Sequence, residues 1–583
     1  MMTKEDVAAA LQEVGILLEL KGEPSFRTMS YHSAARAVLE YEGDFPALVA
    51  AGRATEIHGI GEVMRTKIEG LVRTGELPQL TALRAEIPPG IIQMLRIPGL
   101  GPKKVKALYD QLKIDNLEAL QTACVDGRVA KIKGFGGKTQ EKILDGLRFL
   151  SEVGQRVRID EGYPVGVILT DRLSKVPGVT RAALAGSLRR RKEVAGNVNL
   201  VAGAANPKVA LDAFVAQPEV MQITGRTESM AAAVVGMAVE GHRVVVPAEL
   251  RVVPDEVFPF VLMHLTGSKE HNARLRDRAA ERGMTLAETG LTSGGKELPC
   301  ASEADIYATL ELSFIPPELR ENAGEMEAAE RDELPKLVEA KNIRGVFHNH
   351  TTYSDGAATL EQMAQTSKAL GFEYFGVGDH SQSLRVARGL SIEAVKNQHV
   401  EIDALNKRLS GVRILKGIEC DILDDGSLDY PDEVLKWFDY VVISVHTLFG
   451  MPEEKMTARV CKALTHPATT ILGHATGRLL LRREGYKIDL EEVLRVAAEH
   501  GKMIEINAQP TRLDVDWRVV RQAKAMGIPI VINPDAHSTD ELALYEYGVD
   551  VARRGWLEKD DVFNTRPLRE VIRELERRKT DAD

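Results

Sequence analysis

The chain contains the run Val346-Phe347-His348-Asn349-His350-Thr351-Thr352-Tyr353-Ser354-Asp355-Gly356. Side chains two apart on a strand point the same way, so a buried strand over residues 345–350 would aim His348 and His350 at one point. Two neutral imidazoles converging beside the carboxylate of Asp355 suit a divalent transition metal far better than an apolar core. Such an ion brings hydrolytic chemistry, because it lowers the pKa of a bound water and offsets the charge of an anionic substrate. Taken alone, the pair is equally compatible with two ordinary polar residues at a strand end.

The elements that would have to position these residues decide between the two readings. From Gly345 onward, apolar strands alternate with helical stretches, and nearly every strand ends in a metal-ligating side chain. Residues 372–378 run into Asp379-His380, 412–418 into Glu419-Cys420-Asp421, and 440–445 into His446. Residues 470–473 deliver His474, 503–506 deliver Asn507, and 528–533 deliver Asp535 and His537, again two apart. Seven strands so arranged predict a barrel of alternating strands and helices, whose C-terminal strand ends gather on one rim. Only Cys420 and Cys461 supply thiols in this region, and neither sits in a paired motif, which excludes a structural zinc finger.

His348-Asn349-His350, Asp355, His380, Glu419, His446, His474 and Asp535-Ala536-His537 together resemble the ligand set of the PHP (polymerase and histidinol phosphatase) domain. The resemblance implies a distorted (β/α)7 barrel over residues 338–583 holding up to three ions, Mn2+ or Zn2+. It also implies one ion on the catalytic set His348, His350, Glu419 and Asp535, a second on Glu419, His446 and His474, and a third on Asp355, His380 and His537. The chain departs from the family at Ala475, where Pro usually follows the histidine.

At 583 residues the chain is too long for one core, so several domains are expected. Its 44% hydrophobic and 27% charged residues are ordinary globular material, and a net charge of -10 gives no hint of nucleic acid by itself. Four scattered cysteines fit a reducing compartment. Residues 1–20 lack a basic n-region, and no stretch approaches the ~20 apolar residues of a membrane span, so a soluble, cytoplasmic, nucleoid-associated monomer is expected.

Residues 1–150 read as short helices carrying one local pattern three times: Ile57-His58-Gly59-Ile60-Gly61, Ile97-Pro98-Gly99-Leu100-Gly101-Pro102-Lys103-Lys104 and Ile132-Lys133-Gly134-Phe135-Gly136-Gly137-Lys138. Glycines flanking one apolar residue make a tight turn that leaves backbone N–H groups at a helix start free to hold a phosphate. The pattern resembles the helix-hairpin-helix motif, which tracks a DNA backbone without reading its sequence. Residues 86–150 carry eleven Lys or Arg against seven Asp or Glu, a basic segment in an acidic chain.

From residue 157 to about 253 the pattern turns to mixed strand and helix around Gly186-Ser187-Leu188-Arg189-Arg190-Arg191-Lys192-Glu193. This resembles the palm of family X DNA polymerases, whose signature is Gly-Ser-x-Arg-Arg-Gly followed by an Asp-x-Asp strand. Ser187 and Arg190 then match triphosphate contacts, Gly196 precedes the metal-binding strand, and Leu265-Thr266-Gly267-Ser268-Lys269 resembles the thumb, with Asn272 and Arg276 facing an incoming dNTP. The departures are pointed. Asn197 and Asn199 stand where the family has Asp, Glu249 where it has the third Asp, Arg191 where it has Gly, and His264-Leu265 where it has Tyr-Phe. Amides supply oxygen without charge, so a Mg2+ or Mn2+ pair at the palm is poorly provided for. Lys67 matches the Schiff-base lysine of family X lyase domains.

The expected organisation is multidomain α/β: a lyase-like hairpin domain (1–85), a fingers-like hairpin domain (86–155), a degenerate palm (156–255), a thumb (256–318), an acidic linker (319–337) and the barrel. The expected function is a metal-dependent 3'→5' exonuclease on gapped or 3'-ended DNA. An active gap-filling polymerase and a non-catalytic DNA-end scaffold are the rival expectations; a small-molecule phosphoesterase would leave the three hairpins without purpose.

Overall fold

The computed structural model describes residues 4–582 except 40, 42–44, 76, 96, 98–99, 154–155 and 240–241. It divides into two compact units, one of residues 1–155 with 237–244, the other of residues 156–236 with 245–583.

The first unit is helical, and its three hairpins share one local geometry. Ile60 N–H donates to Ile57 O at 3.0 Å, Leu100 N–H to Ile97 O at 3.0 Å, and Phe135 N–H to Ile132 O at 3.1 Å. Each turn therefore closes over a buried apolar residue, Ile60, Leu100 or Phe135, which anchors it to the core. A helix follows each one: Glu62–Thr74, Pro102–Leu112 and Gly136–Val153.

A five-stranded sheet runs in the order Val179–Ala185, Val198–Ala204, His242–Val253, Met230–Val239, Val220–Arg226, all in the second unit save residues 237–244. Helix Phe258–Thr266 leads from it to helix Lys269–Glu281, which Ser268 caps by accepting from His271 N–H at 3.0 Å.

The segment expected as a linker is folded. Leu319, Met326, Ala329 and Leu337 join one apolar core with Phe260, Leu275 and Tyr307, and Arg320 and Glu325 are fully buried. Each is met in the fold: Arg320 donates to Glu303 at 2.5 Å, while Glu325 accepts from the His271 imidazole at 2.7 Å and from the Asn322 and Ala323 N–H groups at 2.7 and 2.6 Å. Acidic composition signals solvation only where no buried cation answers it.

The C-terminal region forms a barrel of parallel strands in two sheets. One pairs Gly345–Val346, Tyr374–Gly376 and Arg413–Leu415; the other runs Gly417–Asp421, Tyr440–Ser444, Ile471–Leu472, Met503–Asn507, Ile530–Asn533. The strand expected over 412–418 is thus broken at Lys416. There the backbone N–H donates to the Asp439 carboxylate at 2.8 Å, and the carbonyl accepts from Asp439 N–H at 2.6 Å. The first strand is regular only to Val346. Beyond it the chain is held by Phe347 N–H donating to the Asn533 side chain at 2.8 Å and His350 N–H to Ala536 O at 2.8 Å. At the two seams the sheets meet through single bridges, Asn349 with Ala536 and His380 with Glu419. Tyr440 fills the interior, its hydroxyl donating to Val377 O at 2.7 Å, and a Cβ at Gly417 would lie 2.1 Å from its ring, so only glycine fits.

Candidate metal centre

The strand ends bring all nine sequence-predicted ligands to one rim, grouped around Glu419. One oxygen of Glu419 lies 2.9 Å from His474 Nε2 and 3.3 Å from His446 Nε2; the other lies 2.8 Å from His380 Nδ1, 3.3 Å from His348 Nε2 and 3.7 Å from His350 Nε2. Asp535 Oδ1 stands 3.0 Å from His350 Nε2 and 3.7 Å from His348 Nε2, and Asp355 lies 3.5 Å from both His380 and His537. Four sets have ligand atoms close enough to share an ion: His350, Asp355, His380 and His537; His348, Glu419 and His474; His348, His350 and Asp535; His380, Glu419 and His446. The family-implied trio of Glu419, His446 and His474 is thus shared out in the geometry, His474 grouping with His348 and His446 with His380.

The donor set fits divalent ions. His348 Nε2 and His350 Nδ1 are buried without a hydrogen-bond partner, a costly arrangement that a bound cation relieves. Mixed imidazole and carboxylate donors suit transition ions. Asp535 adopts a left-handed backbone at φ 52°, a conformation a non-glycine residue keeps only where its surroundings demand it.

Burial, then the nearby imidazoliums of His537 and His380, push His350 down to about 3, so its ring is neutral at pH 7. The other rings go the opposite way. Burial works against their charge, but Glu419 and Asp355 carry His380 up to about 10, Glu419 and Asp421 carry His446 up to about 9, and Asp355 and Asp535 carry His537 up to about 9. Protons on these rings balance the carboxylates until a metal displaces them. A folded pKa raised above ~6.5 contributes stability that is full below that pH and lost as pH rises through the folded value. The chelated protein is therefore expected to lose stability, and to melt at lower temperature, as pH rises from 7 to 10. The Mn2+-loaded protein should lose much less; calorimetric scans showing parallel losses in the two forms would refute the assignment.

Three acids support the ligands, of which the sequence missed Glu505 altogether and named Asp421 and Asp379 only at strand ends beside ligands. Glu505, fully buried, accepts from His348 Nδ1–H at 2.7 Å, His474 N–H at 2.8 Å, Asn533 at 2.9 Å and Asn507 at 3.2 Å. Asp421 lies 2.5 Å from His446 Nδ1. Asp379 accepts from Thr351, Ser354 and Gln398 and fixes the loop that presents Asp355. The signal for Glu505 was an acid inside the apolar strand Met503–Asn507. A carboxylate on the far nitrogen of a ligating histidine sets its tautomer and raises its basicity. Glu505→Gln should weaken Mn2+ binding about 10- to 100-fold by calorimetry; unchanged affinity would make Glu505 merely a packing residue.

In the first unit the hairpin glycines present open backbone. A Cβ at Gly59, Gly61, Gly101, Gly134 or Gly136 meets nothing within 4 Å, and Gly61 and Gly101 cap the helices that follow. Gly99 lies outside the described residues; Lys103, Lys104 and Lys138 fall in the first turns after the hairpins. Lys67 is half-buried on helix Glu62–Thr74, where its ammonium donates to Gln79 at 2.8 Å and to the Tyr31 hydroxyl.

Family models match in the same order along the chain: a helix-hairpin-helix domain at residues 2–77, a SAM-like helix-hairpin-helix tandem at 91–148, the DNA polymerase beta thumb at 261–321 and the PHP domain at 347–509. A Bacillus subtilis (strain 168) protein named "DNA polymerase/3'-5' exonuclease PolX" is 35% identical over 584 residues, covering 99% of this chain and 100% of its own length. The chain belongs to the PolX family. The barrel alone also resembles a "Probable phosphatase" of Thermoanaerobacter sp. (strain X514), 29% identical over 40% of this chain and 95% of the relative. A second, from Acetivibrio thermocellus, is 31% identical over 34% of this chain and 81% of its own length.

Within this PolX chain the palm positions do assemble, but around amides. Asn199 pairs with Glu249 across the sheet, and the side chains of Asn197 and Asn199 hydrogen-bond each other at 2.9 and 3.1 Å. Gly186, at φ 69°, leaves room for them, since a Cβ there would lie 2.5 Å from Asn199 Nδ2. Ser187 is half-buried in the turn, and Gly196 precedes the strand with open space beside it. Arg190 is buried and engaged with Glu321 at 2.9 Å and Thr266 O at 2.6 Å. The Asn272 amide donates to His264 O at 2.6 Å, whereas Arg276 is exposed.

Proposed function

We propose that this PolX chain is a divalent-metal-dependent 3'→5' exonuclease of DNA repair, acting at DNA ends and gaps, with a palm that inserts nucleotides poorly. The observation that carries the reading is the nine-residue centre around Glu419 on a chain that also holds three phosphate-tracking hairpins. The name of the Bacillus subtilis relative supports both the polarity and the substrate. By the family resemblance, His348, His350, Glu419 and Asp535 would hold one ion, Glu419, His446 and His474 a second, and Asp355, His380 and His537 a third, although the geometry groups His474 with His348 and His446 with His380. The family resemblance favours Mn2+, with Zn2+ the alternative; the imidazole and carboxylate donors suit either ion. Bound ions would supply an activated water and offset the charge of the pentacoordinate phosphorus transition state.

The chain's own residues do the rest. His350, neutral at pH 7, offers its lone pair without first losing a proton. Glu505, Asp421 and Asp379 hold His348, His446 and the Asp355 loop in register before substrate arrives. The hairpins hold the duplex through its phosphates, so binding falls steeply with salt and ignores sequence. The protein works as a cytoplasmic, nucleoid-associated monomer. No described helix is long and apolar enough to cross a membrane.

The test is digestion of 3'-recessed and gapped DNA with Mn2+ by the wild type, His348→Ala and Asp535→Asn. Activity in the wild type and its loss in both variants is expected; equal activity in all three would sink the proposal. Extension of the same substrate by dNTPs separates this reading from a gap-filling polymerase, and tight gap binding without turnover would identify a scaffold.

A further inference from the structure

The turn at residues 186–193 carries four consecutive cations, Arg189, Arg190, Arg191 and Lys192, and the three arginines all have acidic partners. Arg189 is held by Glu303 of the thumb at 2.5 Å, and Arg190 by Glu321 at 2.9 Å. Arg191 lies 3.4 Å from Asp550, on the barrel helix Tyr545–Arg554. That helix returns the contact: Arg554, 2% exposed, donates to Glu193 at 2.5 Å and to Glu321 at 3.1 Å and lies over the Trp517 ring. Arg478 of the barrel approaches Glu193 from the other side at 3.9 Å.

Arg191 is the informative residue. It occupies the position where the palm signature has glycine, and its backbone is left-handed at φ 58°, which any side chain pays for. The side chain that breaks the pattern lies 3.9 Å over the Tyr163 ring and reaches Asp550. A strained backbone persists where its side chain is held from several directions.

We infer that the 186–193 turn is a docking element for the barrel helix Tyr545–Arg554, and that Arg190 and Arg191 are so committed to carboxylates, Glu321 and the barrel's Asp550, that a triphosphate must compete with these for them. The inference goes beyond the exonuclease reading and stands or falls apart from it. Polyphosphate recognition needs Arg forks free to bind bidentately. Here Arg190 spends its Nε on Glu321 and another N–H on Thr266 O, and Arg191 faces Asp550. The same contacts bear on the metal centre: Arg478 Nε–H donates to Arg512 O at 3.0 Å, and Arg512 Nε lies 3.7 Å from Asp535.

Two measurements on the full chain test this. The first is hydrogen exchange in Arg191→Gly, a variant that suits φ 58° better than arginine, so the turn keeps its shape. Amides of residues 545–556 should exchange about tenfold faster, and Asp550→Asn should do the same with no further gain in the double variant. Unchanged exchange in both single variants would overturn the dock. The second is calorimetric binding of inorganic tripolyphosphate. Glu321→Gln with Asp550→Asn, which strips the carboxylates from Arg190 and Arg191, should bind about tenfold more tightly than the wild type. Equal affinity would overturn the competition.

Discussion

Glu419→Gln is expected to lower Mn2+-dependent removal of 3' nucleotides by about three orders of magnitude or more while leaving the barrel folded. The carboxylate faces five imidazoles at 2.8–3.7 Å and belongs to two of the four sets that can hold an ion. Glutamine keeps the shape but removes the shared negative charge and turns one oxygen into a donor aimed at ring nitrogens that need an electrophile. Each lost contact between close charges in a partly dry site is worth several kcal/mol, and ~1.4 kcal/mol is a factor of ten. Single-turnover digestion of 3'-recessed DNA reads the rate, metal content reads occupancy, and melting in chelator confirms folding. A variant within tenfold of the wild type would show that Glu419 does not organise the chemistry.

The palm is expected to show the second large effect, in the opposite direction. The mutual bonds between Asn197 and Asn199 satisfy both amides with no ion. Asn197→Asp with Asn199→Asp puts two carboxylates about 3 Å apart, a repulsion of several kcal/mol in a half-buried site. The double variant should melt lower than the wild type in chelator and recover with millimolar Mn2+. Extension of a gapped primer, absent or several orders of magnitude below that of an intact two-metal polymerase in the unaltered chain, should rise by at least about tenfold. It should stay limited while Arg190 is held by Glu321, and rise again with Glu321→Gln. Robust extension by the unaltered protein would refute the impaired palm outright.

The metal centre was legible because few residue types bind transition ions, and apolar strands ending in them repeat from Phe347 to His537. The hairpins were legible because the left-handed backbone at Gly59, Gly134 and Gly136 favours glycine, and three copies of one apolar spacing are hard to mistake. What stayed hidden was pairwise. Nothing local to Glu505 shows that His348, His474 and Asn533 converge on it from other strands. Residues 319–337 read as solvated because the partners that justify burying Arg320 and Glu325 are Glu303 and His271, close only in the fold. Lys416 looked like a mid-strand residue because its break is imposed by the carboxylate of Asp439, across a strand boundary. Arg191 stood out as a misfit of the palm signature, and its reason sits some 360 residues away at Asp550.

The two-sheet barrel has one more consequence. Its half-shells meet at seams that are each a single bridge, and the residues at those bridges either are ligands, as His380 and Glu419 are, or lie beside them, as Asn349 and Ala536 do. An ion bound there is a cross-link between halves of the scaffold, a fastener as much as a reagent. A ligand exchanged to suit a different metal would then also reset how tightly the shell closes.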